Sequence, residues 1–480
     1  MKKVFFSMVS ALLITMPLQA ENIGVPAECE DVMLQAFYWD SYTLNKYGRT
    51  KWIDLLADTA AINANFDLVW LPPSASSTGG VGYYHACLSN QDSEWGQKSK
   101  LTSLITALHK GKTKVLGDIV INHRGNKSSW CDFREDDFTF LYGGKFQLTE
   151  EHICSNDECF TTSGSSCYNS ATRGNADTGT NDAGARDLDH RSEYVQTWVK
   201  AYLKWMMGYM RYDGFRYDMT RGYSGGYLSM YNEATQPYFS VSEYWESITN
   251  TTNHLKSTNF NTTIFDFPLK FKMCTALKNG YYSQLVNPSE SLRGKGYGKY
   301  AVTFIDNHDT FERSDNQGGE FIGYNIDLQN AANKNKILQA NAYILMLPGV
   351  PCVFWPHWKS YPEEINALIA LRKKAGIHSE SAVLSETAAT GVYEAKVQGH
   401  RGVLILRLGA NRSKEVPEGF YTALEGGDVA AYTIFAQNGT GVEEVRGHGL
   451  RVTGEKFMQD GKLYIRVGEM VYDVLGRLVR

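Results

Sequence analysis

At 480 residues the chain is too long for one small domain, and its length fits two or three domains or one large barrel. A composition of 43% hydrophobic and 21% charged residues is ordinary for a soluble globular protein, while aromatic residues at 13% are high. The formal net charge of −4, with no arginine-rich run, excludes the electrostatic footprint of a nucleic-acid binder.

The N-terminus reads as a targeting segment. Lys2 and Lys3 precede the apolar run VFFSMVSALLITMPL, and Leu18, Gln19 and Ala20 follow it. This is the pattern of a signal peptide over residues 1–20, cut after Ala20. A membrane anchor is the alternative, but the run is short for a bilayer span. Beyond the cut, short apolar runs alternate with longer amphipathic ones. VMLQAFYW (32–39) reads as a strand, WIDLLADTAAINANF (52–66) as a helix and DLVWLPP (67–73) as a second strand. LTSLITALHKG (101–111) is a helix with a glycine stop, and KVLGDIVINH (114–123) is a third strand.

From 124 to 190 the rhythm breaks into a polar stretch that reads as an inserted lobe. Four of the eight cysteines fall here: Cys131, Cys154, Cys159 and Cys167. In an exported chain they permit disulfides, which help a segment with little core of its own. A zinc site is the alternative, but the spacings lack a CxxC pair and no histidine cluster accompanies them. The rhythm then returns. YVQTWVKAYLKWMMGYM (194–210) is a helix, GFRYDM a fourth strand, YFSVSEYW (238–245) a fifth, TTIFDFPL (262–269) a sixth and AVTFIDNHD (301–309) a seventh. KILQANAYILML (336–347) is a helix, VPCVFW (350–355) an eighth strand, and INALIALRKKAG (365–376) a closing helix.

Eight strand-then-helix units argue for a (β/α)8 TIM barrel. A doubly wound open sheet is the rival, weakened because no GxGxxG follows an early strand. The barrel is expected over 21–123 and 191–378, interrupted by the lobe (124–190). From 379 to 480 short alternating segments predict a C-terminal antiparallel β domain, with a tail of about 60 residues left unassigned.

Reactive groups of such a barrel sit at the C-terminal ends of its strands. Those ends carry Asn122 and His123, Arg216 and Asp218, Glu243, and His308 and Asp309. A lone aspartate at a strand end is usually a helix cap, and a lone histidine a packed core residue. Their joint appearance at four ends points to chemistry. Residues two apart on a strand face one side, so Arg216 and Asp218 point together into the barrel. The guanidinium favours an ionised Asp218, as a nucleophile requires; a structural ion pair is the alternative. Glu243 lies among Phe239, Tyr244 and Trp245 without a neighbouring cation in sequence. Desolvation is expected to keep its proton, as a general acid requires. The pair is the arrangement of retaining glycoside hydrolysis. Asp309 is expected to orient sugar hydroxyls and stabilise the transition state, with His123 and His308 donating to the same ring and Tyr83 stacking beneath it. A His/Asp metallohydrolase would want an HxH pair, which is absent. A catalytically dead carbohydrate-binding protein is disfavoured by the presence of all three carboxylates.

DIVINHR (118–124), GFRYDMTRGYS (214–224), VSEYW (241–245) and FIDNHDT (304–310) resemble, in order, the four signature regions of the α-amylase family of glycoside hydrolases. VWLPPS (69–74), GYY (82–84), ARDLDH (185–190) and PGVPCVFW (348–355) extend the resemblance over roughly residues 30 to 380, closest to the plant-type α-amylases. It implies Asp218 as nucleophile, Glu243 as acid/base and Asp309 as transition-state stabiliser. It implies endo-hydrolysis, with retention, of internal α-1,4-glucosidic bonds in starch or glycogen. The signal peptide makes a secreted or periplasmic location the expectation, and a monomer is expected. A transglycosidase or debranching relative is the runner-up. Tyr83, His123, Arg216 and His308 would line the cleavage subsite, and Trp245 the leaving-group side. The family also implies Ca2+ between barrel and lobe, held by Asn122, Asp177, Asp187 and the carbonyl of Gly222. Hard oxygen donors suit that ion. Arg221 and Gly222 stand where many members carry Lys-His, which puts the acceptor subsites near Arg221 in question.

Overall fold

In the computed structural model, which describes residues 22–140, 143–181, 183–311, 334–439, 455–459, 462–467 and 470–473, the eight apolar runs close into one parallel barrel. The proposed signal peptide and parts of the C-terminal tail lie outside the described residues. The barrel strands are β1 (Met33–Gln35), β2 (Leu68–Trp70), β3 (Lys114–Ile119), β4 (Gly214–Tyr217), β5 (Phe239–Ser242), β6 (Thr263–Phe265), β7 (Ala301–Phe304) and β8 (Val350–Phe354). Each pairs in parallel with its sequence neighbours, and β1 pairs with β8 to close the ring. Nearly every strand residue is buried, as expected of a parallel sheet covered on both faces.

The helices follow the apolar stripes. They include α1 (Trp52–Asn65), α2 (Lys98–Lys110) and α3 (Glu193–Gly208). Ser192 caps α3, which turns Val195, Trp198, Val199, Tyr202, Leu203 and Met206 onto the barrel. Next come α4 (Gly225–Thr235), α5 (Ile248–Ser257) and α6 (Phe267–Asn279), then α7 (Lys334–Met346), the short α8 (Trp355–Ser360) and α9 (Pro362–Ala375).

Two sequence readings are corrected here. The sixth strand ends at Phe265, not at 269, because Asp266 accepts the Leu269 N–H as a helix cap and Pro268 sits in the first turn of α6. The first strand covers three residues of the apolar run 32–39; the rest is turn and loop. α4 and α5 escaped the reading because their faces are mixed: Gly225, Gly226 and Asn232 interrupt the first, while Thr, Asn and His dominate the second.

The lobe leaves the barrel after β3 and is built of short 3-10 turns and two-residue strand pairs. One pair runs between His123–Arg124 and Arg186–Asp187, tying both lobe ends to the barrel rim. A disulfide joins Cys131 to Cys167, while Cys154 and Cys159 remain buried thiols. After α9 come β9 (Ala382–Ala389), β10 (Val392–Gln398), β11 (Val403–Leu408), β12 (Phe420–Glu425) and β13 (Tyr432–Gln437), in an antiparallel sheet of order β9-β10-β11-β13-β12. The tail adds a small three-stranded antiparallel sheet of β14 (Glu455–Gln459), β15 (Lys462–Val467) and β16 (Met470–Asp473).

Candidate active site

Asp218 and Glu243 each stand one residue beyond their strands, where the ladder still holds them. The Asp218 N–H bonds the Ile119 carbonyl at 2.9 Å, and the Glu243 N–H bonds the Tyr217 carbonyl at 2.9 Å. Between the two carboxylates lies Arg216, fully buried. Its Nη1 donates to Asp218 Oδ1 at 2.7 Å and to Asp118 Oδ1 at 2.8 Å, and its Nη2 lies 2.9 Å from Glu243 Oε2. The two-residue period placed Arg216 beside Asp218 as expected. Glu243, without a neighbouring cation in sequence, gains one in the fold: Arg216 reaches it across the β4–β5 boundary.

The turn after β4 completes this arrangement. Met219 adopts a left-handed conformation, φ +48°, which a side-chain-bearing residue rarely does. Its N–H then donates to Glu243 Oε2 at 3.0 Å, and the Thr220 hydroxyl donates to the Glu243 carbonyl at 2.6 Å.

Burial outweighs the cation at every carboxyl. It raises Asp218 to about 6, with Arg216 opposing and the charge of Asp118 adding to the rise. It raises Glu243 to about 7, with Arg216 again opposing and Asp218 adding. Arg216 lowers the pKa of Asp218 as expected, although burial outweighs it, and the expected rise at Glu243, driven by desolvation, is present. The order survives: Asp218 is the more acidic of the two.

Asp118 was not among the sequence candidates. It is fully buried, pushed up to about 6 by that burial, and pairs in register with Arg216. Its Oδ2 accepts from Trp70 Nε1 at 3.0 Å and from the Tyr83 hydroxyl at 2.9 Å. Its signal was present: it is a charged residue within the buried part of the strand KVLGDI. Trp70 and Tyr83 also flank the guanidinium, with ring centroids 4.9 and 5.8 Å from it.

On the far side, the Tyr83 oxygen and His308 Nε2 are 2.7 Å apart, and Gln35 Nε2 lies 3.0 Å from His308 Nδ1. Since the Tyr83 hydroxyl donates to Asp118, its oxygen accepts from His308 Nε2–H, which fixes that tautomer. Asp309 Oδ2 is 3.2 Å from the same nitrogen. Asn307 Oδ1 accepts the N–H groups of Asp309 and Thr310, so the turn carrying Asp309 is closed on itself. The rings of Trp39, Tyr83 and His308 are near-parallel; Trp39 and Gln35, from the β1 end, were missed for want of any sequence periodicity there. His123 Nε2 bonds the Tyr83 carbonyl at 3.0 Å and so braces the loop bearing Tyr83. Trp245 packs against Phe267 and Phe271 at ring distances of 4.8 and 5.7 Å. Arg221 stands one turn beyond, half-buried, with its carbonyl accepting the Thr180 N–H of the lobe.

The residues proposed for calcium meet at this junction. Asn122 Nδ2 donates to Asp187 Oδ1 at 3.2 Å. A Cβ placed on Gly222 would fall 1.8 Å from Asn122 Oδ1, so only glycine lets the chain approach there. Burial raises the pKa of the Cys154 thiol, and the charges of Asp177, Asp187, Asp189 and Asp157 raise it further, so this part of the lobe carries a negative field. An amide oxygen, carboxylates and a glycine carbonyl form an all-oxygen donor set, which fits a hard cation.

A closed barrel with two carboxyls and a buried arginine at the ends of its strands fits an enzyme that works by carboxylate chemistry. The family model for the α-amylase catalytic domain matches residues 62–227. A chloroplastic α-amylase 3 of Arabidopsis thaliana is 32% identical over 390 residues, which is 76% of this chain but 40% of that longer relative. A probable α-amylase 2 of the same plant is 30% identical over 388 residues, 76% of this chain and 86% of the relative. A solved α-amylase of Geobacillus thermoleovorans, complexed with acarbose, shares the fold at a TM-score of 0.59 and 16% identity, over 85% of this chain and 98% of that one. The chain belongs to the α-amylase family of glycoside hydrolases.

Proposed function

We propose that the protein is an exported, retaining endo-hydrolase of internal α-1,4-glucosidic bonds in starch, glycogen or a related α-glucan. The observation that carries the proposal is Arg216 wedged between Asp218 and Glu243, with Glu243 the weaker acid of the two. At neutral pH that ordering leaves a carboxylate at Asp218 and retains a proton at Glu243 for much of the time.

The steps follow from that division. Asp218 attacks the anomeric carbon while Glu243 protonates the departing glycosidic oxygen, and a covalent glycosyl-enzyme forms. Glu243, now ionised, takes a proton from water as the water opens the ester, and the anomeric configuration is retained. Retention rests on proximity. The two carboxyls reach one guanidinium, at 2.7 and 2.9 Å, whereas inversion needs roughly 6.5–9.5 Å between them to admit a water. Asp309, beside His308, faces the positive charge that develops on the sugar ring. His308 and Tyr83 form one hydrogen-bonded wall of the subsite, with His123 bracing the Tyr83 loop from behind. Trp245 and Arg221 stand on the side where the leaving glucan would lie.

Calcium, held by Asn122, Asp177, Asp187 and the Gly222 carbonyl, would supply a structural clamp and no reacting group. Gly222 lies four residues from Asp218, so the same turn that aims the nucleophile is fastened to the lobe. Export rests on residues 1–20, and no described helix is long and apolar enough to cross a membrane.

Asp218→Asn is expected to lower amylose hydrolysis by on the order of 10^4-fold or more while leaving the circular dichroism spectrum intact. NMR of the first products from amylose is expected to show the α-anomer ahead of mutarotation, in fragments of intermediate length. The β-anomer first would overturn retention. Predominant transfer products, or cleavage confined to α-1,6 bonds in pullulan, would replace this reading by a transglycosidase or debranching activity.

A further inference from the structure

At the end of the barrel opposite the carboxylates, three segments distant in sequence are laced together. The Cys29 N–H donates to Ser379 Oγ at 3.0 Å and the Ser379 N–H to the Cys29 carbonyl at 2.9 Å. The His400 N–H donates to the Gly376 carbonyl at 2.9 Å and the Arg401 N–H to the Ala375 carbonyl at 3.0 Å. Glu380 Oε2 accepts the Glu28 N–H at 2.9 Å. Gly399 permits the approach, since a Cβ there would fall 2.3 Å from the Ala375 carbonyl oxygen. The start of the described chain, the end of α9 and the turn between β10 and β11 thus form one rigid corner.

Three side chains converge at that corner. Glu28, His378 and His400 each offer a ligand atom, and all three atoms lie within 4.8 Å of one another. The two imidazoles are stacked at 4.1 Å, 20° from parallel. His400 Nε2 is 3.4 Å from Glu28 Oε2, and its Nδ1 is 3.0 Å from Glu30 Oε1. Arg401 Nη1 donates to the same Glu30 oxygen at 3.0 Å, so Glu30 is itself held in place. His378 Nδ1 accepts the Glu380 N–H at a long 3.3 Å, a bond that a metal at this nitrogen would replace.

We propose that Glu28, His378 and His400 bind a divalent transition-metal ion, zinc by the chemistry of the donors. Two imidazole nitrogens and one carboxylate oxygen are a three-ligand zinc set that leaves a position for water. Ligand atoms at about 2.0–2.1 Å from zinc stand roughly 3.3 Å apart in a tetrahedron, which is the separation His400 and Glu28 already have. The remaining closure falls on the two stacked imidazoles, one of which must turn to aim its nitrogen at the ion, and on Glu28, whose side chain is largely exposed. Glu30 on His400 Nδ1 is the outer carboxylate that fixes a metal-binding imidazole in the required tautomer. The donors are nitrogen-rich, unlike the all-oxygen set at the lobe, so the two sites sort zinc from calcium. The ion would staple the first residues of the described chain to the C-terminal sheet.

The test is zinc uptake by the intact protein with calcium held in excess. Equilibrium dialysis is expected to load zinc into a site that His400→Ala and Glu28→Gln remove, and zinc is expected to raise the wild-type Tm by about 2 °C or more and leave the variants' Tm unmoved. Both substituted residues are exposed and far from the mouth, so the variants keep wild-type amylose hydrolysis and metal-free melting. That retention separates failure of this site from failure of the proposed enzymatic function. Equal zinc uptake in wild type and variants, or no zinc-dependent shift in wild type, overturns the proposal and leaves the cluster an ion pair between histidines and glutamates.

Discussion

At the barrel mouth, Asp118, Asp218 and Glu243 share a cation that is part of the chain: Arg216, fixed on β4 and buried with them. At the junction with the lobe, Asn122 donates to Asp187, and the charges of Asp177, Asp187 and Asp189 help keep the Cys154 thiol protonated. The first cluster is organised by an ion pair that cannot leave. For the second we propose a cation that must be recruited. The mouth is built on strands whose register is set by closure of the barrel, whereas the lobe has short turns and one disulfide between Cys131 and Cys167. A recruited ion suits the second setting, because it supplies cohesion that the lobe's small core does not.

This contrast breaks most sharply at Arg216. Arg216→Gln leaves three buried carboxylates without their shared partner and is expected to cost about 3–5 kcal/mol of stability as well as nearly all activity. Urea denaturation reads the loss, and a variant with wild-type stability would show that the guanidinium does not hold the mouth together. Next in size is chelation. Removing calcium is expected to lower stability by up to about 3 kcal/mol relative to a calcium-saturated sample, as a drop in Tm restored by calcium addition. Asp187→Ala should abolish the calcium response, and an unchanged melting curve in chelator would remove calcium from the junction.

The smallest effect concerns Asp118. Its charge helps raise Asp218, so Asp118→Asn should lower the pKa of Asp218 and move the acid limb of kcat/KM to lower pH, by roughly one unit. The wild-type profile should be a narrow bell, with its acid limb near 6 and its alkaline limb near 7. A shift of the acid limb to higher pH would contradict the assigned coupling. The same raised values have a sign for stability. A carboxyl raised above its unfolded value of about 4 holds protons in the folded state that the unfolded chain has released. The mouth therefore loses stability as pH rises from about 4 through 7, the opposite of an ordinary salt-bridged aspartate.

Much of the site is legible in the sequence because strand ends are local. The period of two places Arg216 and Asp218 on one face, and the order of runs places Glu243, His308 and Asp309 at neighbouring mouths. The same logic finds the eight strands, since a buried parallel strand is a short apolar run between polar breaks. It stumbles where local signals compete. FDFP reads as apolar continuation, yet Asp266 and Pro268 begin a helix. It also misses α4 and α5, whose tertiary burial overrides a weak periodic face.

By itself, then, the sequence determined the barrel, the lobe, the C-terminal sheet and which charged residues stand at the strand ends, because apolar period and chain order encode them. Only the tertiary structure decided how their charges are shared. Arg216 meets Glu243 from the adjacent strand, and Asp118 joins through parallel register with β4. His308, after β7, is oriented by Gln35 on β1 and by Tyr83 from the loop after β2. Such contacts depend on which strands become neighbours when the barrel closes, and on how much water closure removes. Desolvation, which sets the acidities at the mouth, exists only once the chain has folded.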